Sequence, residues 1–214
     1  SFSQNKTYVP DDNFEAYLEA NGMGDGIANN DSVNTSSISI VTSLNINHQN
    51  IDSLIGIQDF TAITELNCNN NQLTSLNVTQ NTALTKLSCV NNLISSLDVS
   101  QNTALTNLTF YGNQLNSIDV SQNTALTELN CHSNQLTTLD LSQNTALTTL
   151  YCHNNQLTAL DLKNGNNTNF SNFYAHSNPN LYCILVDDAN WASANWTVAN
   201  NNIDAQASFN NSYP

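Results

Sequence analysis

The chain has 214 residues, enough for one sizeable domain or for a repeat array with caps, and its 39% hydrophobic content suits a packed interior. Its formal charge is −14, and its three basic residues are Lys6, Lys86 and Lys163, with no arginine. Such a balance can neither neutralise a phosphate backbone nor dock on an anionic lipid surface, so nucleic acid and membrane surfaces are poor partners.

Charged residues make up only 9% of the chain, and Asn, Thr, Ser and Gln supply the polar surface in place of mixed Lys and Glu. That composition fits an extracellular bacterial protein. No apolar run approaches the ~20 residues that span a bilayer. No apolar leader core stands at Ser1, so the expectation is a secreted or cell-surface protein whose signal peptide has already been removed.

Residues 1–40 read as an N-terminal cap. Asp11-Asp12-Asn13 precedes Phe14, Tyr17 and Leu18 at helical spacing, and Gly22 and Gly24 follow, which predicts a capped amphipathic helix over about residues 11–20. Gly24-Asp25-Gly26 with Asn29, Asn30 and Asp31 offers oxygen ligands but does not meet the twelve-residue calcium-loop template, and reads as a loop.

Residues 41–169 are a repeat array. Ala83, Ala104, Ala125 and Ala146 stand 21 residues apart, each inside an identical Asn-Thr-Ala-Leu-Thr run. Aligned on it, Leu126-x-x-Leu129-x-Cys131-x-x-Asn134-x-Leu136 recurs from Ile63, Leu84, Leu105 and Leu147, with a divergent first copy from Val41. The second half of each unit repeats the template, as in Leu136-x-x-Leu139-x-Leu141-x-x-Asn144, with no helical segment between the halves. The expectation is a flattened, mostly parallel β solenoid with strands on two faces. It carries two asparagine ladders, one of Asn71, Asn92, Asn113, Asn134 and Asn155 and one of Asn81, Asn102, Asn123 and Asn144.

These repeats resemble the leucine-rich-repeat family over about residues 41–183. The resemblance implies short stacked strands, with the asparagine side chain bonding the backbone of its turn. Asp12-Asn13-Phe14, the Ser-Gln-Asn-Thr-Ala repeat ends and the Cys183-Ile-x-Val-Asp-Asp188 segment are similar to secreted leucine-rich-repeat proteins of Bacteroidetes and, more distantly, to internalins. That likeness implies export and a role in adhesion or recognition. Proteins of that group commonly carry a second cysteine near the C-terminus; the comparable place here holds Tyr213, which leaves the pairing of Cys183 open.

Residues 170–214 read as a last partial repeat and an irregular C-terminal cap. Asn178-Pro179-Asn180-Leu181 breaks the register, and Ile184, Val186, Trp191, Trp196, Ile203 and Phe209 form an apolar lid over the open end of the array.

Cys68, Cys89, Cys131 and Cys152 share the inward position of Ile46 and Phe110 and read as small buried hydrophobes. Two outward ladders flank the same strand: Asn69, Val90, Tyr111, His132, His153 and His176, and Asn67, Ser88, Thr109, Asn130, Tyr151 and Tyr174. Tyr111, His132, Tyr151, His153, Tyr174 and His176 therefore offer stacking planes and hydrogen-bonding groups on rigid strands, which suits a glycan or an extended peptide. The plain alternative is cross-strand stabilisation alone. Adventitious Zn²⁺ or Cu²⁺ binding by the histidines is a third reading.

On the other face Asp98, Asp119, Asp140 and Asp161 form a carboxylate ladder whose like charges are expected to raise one another's pKa. Weak Ca²⁺ binding between rungs would relieve that repulsion, and a hydrated acidic face is the simpler alternative. No other cofactor is expected. The glutamates Glu15, Glu19, Glu65 and Glu128 are scattered, so no acid and base pair is set for catalysis. The reading is a monomeric, non-catalytic extracellular recognition or adhesion module for a protein or glycan. The alternatives are a structural stalk of a larger surface protein or, on the strength of Thr82, Thr103, Thr124 and Thr145, ice or crystal-surface binding.

Overall fold

A computed structural model describes residues 5–212. Ser1 and Tyr213 lie outside the described residues. The N-terminal cap comprises β1 (Lys6–Tyr8), α1 (Asp12–Ala20), β2 (Ser32–Asn34) and α2 (Thr35–Ile38), with β1 and β2 paired antiparallel across the helix between them, a pairing the sequence reading does not include. The array continues with β3 (Ser43–Asn45), β4 (Glu65–Asn67), β5 (Leu76–Asn77), β6 (Lys86–Ser88), β7 (Leu97–Asp98) and β8 (Asn107–Thr109). After these come β9 (Glu128–Asn130), β10 (Thr138–Asp140), β11 (Thr149–Tyr151), β12 (Ala159–Asp161) and β13 (Asn172–Tyr174). The chain closes with β14 (Cys183–Leu185), α3 (Ala189–Asn195) and β15 (Ser208–Asn210).

The result is the expected two-faced parallel solenoid. One face is a seven-stranded sheet in the order β13-β11-β9-β8-β6-β4-β3, paired without a slip from Leu44 opposite Leu66 to Leu150 opposite Phe173. The opposite face pairs β5 with β7 and, separately, β10 with β12, β14 and β15. The interruption falls where Ile118 takes the leucine position and stays half-exposed. Between the faces runs one continuous apolar core, with Phe14, Phe60, Phe110 and Phe173 among its largest buried side chains.

The asparagine ladders account for the buried turn backbone. Asn134 donates Nδ2 to the carbonyls of Phe110 in the preceding turn (3.1 Å) and Cys131 in its own (3.2 Å), while its Oδ1 accepts from Leu115 N (3.1 Å). Asn92, Asn113 and Asn155 repeat the pattern. The residue before each asparagine of this first ladder, and before Asn178, is left-handed: Asn70, Asn91, Gly112, Ser133, Asn154 and Ser177 have φ between 51° and 69°. Asparagine tolerates that region better than most residues. At Gly112 a side chain would also collide with the Asn91 amide.

Asn178 corrects the sequence reading. It does not break the register but forms the next rung, accepting from Leu157 N (3.0 Å) and donating to Cys152 O (3.2 Å). The two-residue insertion before it (23 rather than 21 residues after Asn155) is absorbed in the turn that holds Asn167–Asn169. The C-terminal cap is also more regular than expected. β14 and β15 extend the second sheet in parallel register, and α3 is capped by Asp188, whose side chain accepts from Asn190 N and Trp191 N.

At the other end α1 begins where expected, with Asp11 as its cap (Phe14 N to Oδ1, 2.8 Å). The same carboxylate receives Asp52 N (2.7 Å) and Ser53 N (3.0 Å), and Tyr17 Oη donates to Asn45 O (2.7 Å) on edge strand β3, so the helix is bonded onto the first turn. Gly24 to Asp31 is a loop, as read. Its backbone donates to Glu19 and Glu15, and Asp25 holds Lys6 at 2.6 Å, which with its other hydrogen bonds lowers the Asp25 carboxyl to about 2.

The second ladder is less complete. Asn123 donates to Val99 O and Asn102 O (both 2.9 Å), but its buried Oδ1 has no partner, and the same holds for Asn81, Asn102 and Asn144. Asn134→Ala strands three buried backbone groups and is expected to cost roughly 4 kcal/mol in urea unfolding, against roughly 2 kcal/mol for Asn123→Ala, which strands two and removes an unpaired oxygen. Equal losses would show that the two ladders do not differ in this way.

Candidate functional site

On the seven-stranded face each strand turns its central residue inward and its two neighbours outward. The registers Thr109 to Asn130, Asn130 to Tyr151 and Tyr151 to Tyr174 place the outer residues directly above one another. Two residues further on along the chain lies the second column. Tyr111 stacks on His132 (4.2 Å between ring centroids), His132 on His153 (4.4 Å) and His153 on His176 (4.7 Å). Beside it Tyr151 and Tyr174 lie parallel at 5.5 Å, and His153 and His176 meet Tyr174 edge-on.

The structure thus brings together all six of Tyr111, His132, Tyr151, His153, Tyr174 and His176, each half-buried. One expectation changes. Because the rings stack on one another, most of their planes are already covered, and the surface offered to a ligand consists mainly of ring edges, hydroxyls and imidazole nitrogens. Ser133 Oγ meets His132 Nδ1 at 2.9 Å and Ser177 Oγ meets His176 Nδ1 at 3.0 Å, fixing the outer imidazoles. His153 is followed by Asn154 rather than serine, and its Nδ1 is buried without a partner.

The N-terminal half of the same face is different. Ser43, Asn45, Asn67, Ser88 and Thr109 are short, and they line an open depression of about 360 Å³ crossed by the Lys86 to Glu65 ion pair (2.7 Å). The sequence reading passed over this trough, although the step from small to large outward residues at Val90 to Tyr111 in one column and Asn130 to Tyr151 in the other marks its edge.

Burial lowers the pKa of His132 and, together with the charges of His132 and His176 on either side, brings that of His153 down to about 4. The opposite carboxylate ladder behaves otherwise than expected. Asp98 and Asp119 are lowered, not raised, because each accepts a hydrogen bond from the backbone and side chain of the serine two residues on, while repulsion from Asp98 is the smallest effect on Asp119. Asp140 and Asp161 make the same backbone turn, to Ser142 N and Lys163 N (2.9 Å each). Among the described residues, no group of three or more His, Cys, Asp or Glu side chains is placed to hold a metal ion, in either ladder.

Cys68, Cys89, Cys131 and Cys152 line up inside the prism, fully buried and unbridged, and burial pushes the Cys89 and Cys131 thiols up to about 12. Cys183 is a half-buried free thiol that receives Asn210 Nδ2 at 3.3 Å. Thr82, Thr103, Thr124 and Thr145 sit in exposed turns outside both strand stacks. No helix among the described residues is long and apolar enough to cross a membrane.

Residues 124–172 match the family described as Leucine Rich repeats (2 copies). No curated protein sequence matches the chain. Among solved structures, an internalin (inlF) from Listeria monocytogenes superposes with TM-score 0.68 at 19% identity, over 98% of this chain and 72% of that one. The functional domain of InlJ from Listeria monocytogenes, described as including a cysteine ladder, matches at 25% identity and TM-score 0.37, over 87% of this chain and 58% of that one. A chain of the LRIM1/APL1C complex matches at 25% identity and TM-score 0.55, over 71% of this chain and 28% of that one. The fold is therefore that of a leucine-rich-repeat solenoid, internalin-like in architecture, and the chain spans only part of the length of these structures. That scaffold typically binds proteins, and the matched family is a repeat rather than a catalytic one.

The depressed His153 pKa has a consequence for stability. The unfolded imidazole titrates near 6.5 and the folded ring near 4, so between these pH values the unfolded chain binds more protons and stability falls as pH falls. For a ring this exposed the loss is about 1 kcal/mol after solvent screening. Thermal unfolding of wild type and His153→Gln across that window should show the wild type losing more stability on acidification; parallel curves would contradict it.

Proposed function

We propose that the chain is a non-catalytic recognition module, secreted or held at the cell surface, that binds an extended protein segment or glycan along its seven-stranded face as a monomer. The observation that carries this reading is the coincidence, on one rigid sheet, of six half-buried rings in two adjoining columns with the small-residue trough beside them. A linear ligand laid across the strands would meet hydroxyls and imidazole nitrogens at one end and serine, threonine and asparagine side chains at the other. The rings are held by stacking before any ligand arrives, so little side-chain entropy remains to be lost on binding. The scaffold itself supports the reading, and one of the similar structures is that of a two-protein complex.

The opposite face offers no such feature: its outward row is a line of carboxylates each closed into its own turn. A stalk would need only the repeats and has no use for the ring columns.

Screening on an array of glycans and surface proteins, with and without Ca²⁺, is expected to return saturable ligands. Tyr111→Ala, Tyr151→Ala and Tyr174→Ala combined should weaken them at least about tenfold, roughly 1.4 kcal/mol, while circular dichroism stays unchanged. A blank array in both conditions, or affinities that survive the triple substitution, would overturn the reading in favour of a stalk or of another face.

A further inference from the structure

We infer that the C-terminal end of the ring columns is a subsite for one neutral sugar ring. This rests on the recognition reading above and gives its ligand a chemical class, a glycan whose end or branch seats beyond Tyr174. Strand β13 is the last of its sheet, so no further rung covers the side of Tyr174 that faces away from Tyr151. That side opens on a depression of about 270 Å³ lined by Phe170, Trp191, Trp196 and the amides of Asn172, Asn195 and Asn200.

Three properties identify the occupant. The first is aromatic surface that the ring columns themselves lack. Phe170 and Trp191 are half-buried and stand at steep angles to buried Trp196 (64° and 84°), so they form walls around it rather than a closed stack. An aromatic face is electron-rich and attracts the polarised C–H groups on one side of a pyranose. The second is hydrogen-bonding capacity without charge. No Asp, Glu, Lys or His lines the depression, which is unusual in a chain carrying −14 and disfavours sialic or uronic acids, phosphates and basic peptides alike. Asn195 spends its Nδ2 on Trp191 O (2.8 Å), which leaves its Oδ1 as an acceptor, and Asn200 is tied by its backbone N to Thr197 Oγ1 (3.1 Å), which leaves its side-chain amide for a hydroxyl. The third is size: the depression is smaller than the cavities that take drug-sized ligands, and one sugar ring suits it.

The walls are rigid. Asn202 fastens the segment to the sheet through Nδ2 to Phe173 O (2.7 Å), Oδ1 from Thr197 N (2.9 Å) and its carbonyl from Ala175 N (2.7 Å).

The chain's two tryptophans both line this depression, so intrinsic tryptophan fluorescence reports on it directly. The experiment titrates the protein with the methyl glycosides of glucose, galactose, mannose, N-acetylglucosamine and N-acetylgalactosamine, and with N-acetylphenylalanine amide for comparison. At least one glycoside is expected to change the emission saturably in the millimolar range, and Asn200→Ala, an exposed position outside the packing, should weaken it several-fold. Trp191→Phe should abolish most of the signal change, and Tyr111→Ala, at the far end of the column, should leave it intact. No saturable response to any glycoside, a response only to the phenylalanine amide, or one indifferent to Asn200→Ala would overturn the sugar assignment. If array ligands nevertheless remain sensitive to the combined tyrosine substitution, the recognition face stands and only this subsite falls.

Discussion

A solenoid of three-residue strands buries turns that have no regular partners for their backbone groups, and here one asparagine amide per turn supplies them. Each asparagine of the first ladder spans two successive turns, donating to a carbonyl of its own turn and to one of the preceding turn while accepting a backbone N–H from that preceding turn, so it sets the spacing between rungs as well as satisfying the turn. The left-handed residue before it brings the amide inward, and the invariant spacing of leucine, cysteine and asparagine within the 21-residue unit follows from that geometry.

Once every turn closes in the same way, any residue position becomes a column. Inward columns are leucine and cysteine, which need only fill volume, and the cysteines remain inert thiols because burial disfavours their ionised form. Outward columns carry whatever the sequence places there, and function is written by varying them without disturbing the frame. Along the seven-stranded face the outward residues change from serine, asparagine and threonine to tyrosine and histidine about halfway, which turns a uniform sheet into a trough followed by a wall of rings. The same stacking that builds the wall consumes most of its aromatic planes, leaving edges along the columns and, where the sheet ends, the outer side of Tyr174.

Much of this is legible in the sequence because a repeat reports itself. The period, the two faces, the asparagine ladders and the six ring residues all follow from aligning the units. Asp11 as a helix cap follows from its position before Phe14, Tyr17 and Leu18. What escaped has identifiable physical causes. Asn178 was misplaced because a two-residue insertion hides a rung that three-dimensional hydrogen bonding restores. The carboxylate ladder differs from expectation at Asp98 and Asp119 because repulsion between exposed aspartates is weaker there than the local turn each makes with the serine two residues on. The regularity of β14 and β15 was hidden because their strands derive from non-repeating sequence, and the trough because it is made of residues too plain to attract notice one at a time. The subsite beyond Tyr174 joins residues from 170 to 202 that share no motif.

The central claim is that the seven-stranded face, and not the acidic one, is where the protein meets its ligand. Nuclear magnetic resonance of the ¹⁵N-labelled domain, titrated with each ligand the array returns, tests it most directly. Shift changes and line broadening are expected to be confined to the amides around Ser88, Thr109, His132, Tyr151, His153 and Tyr174. Changes centred on Asp98, Asp119, Asp140 and Asp161, with the ring columns silent, would contradict it.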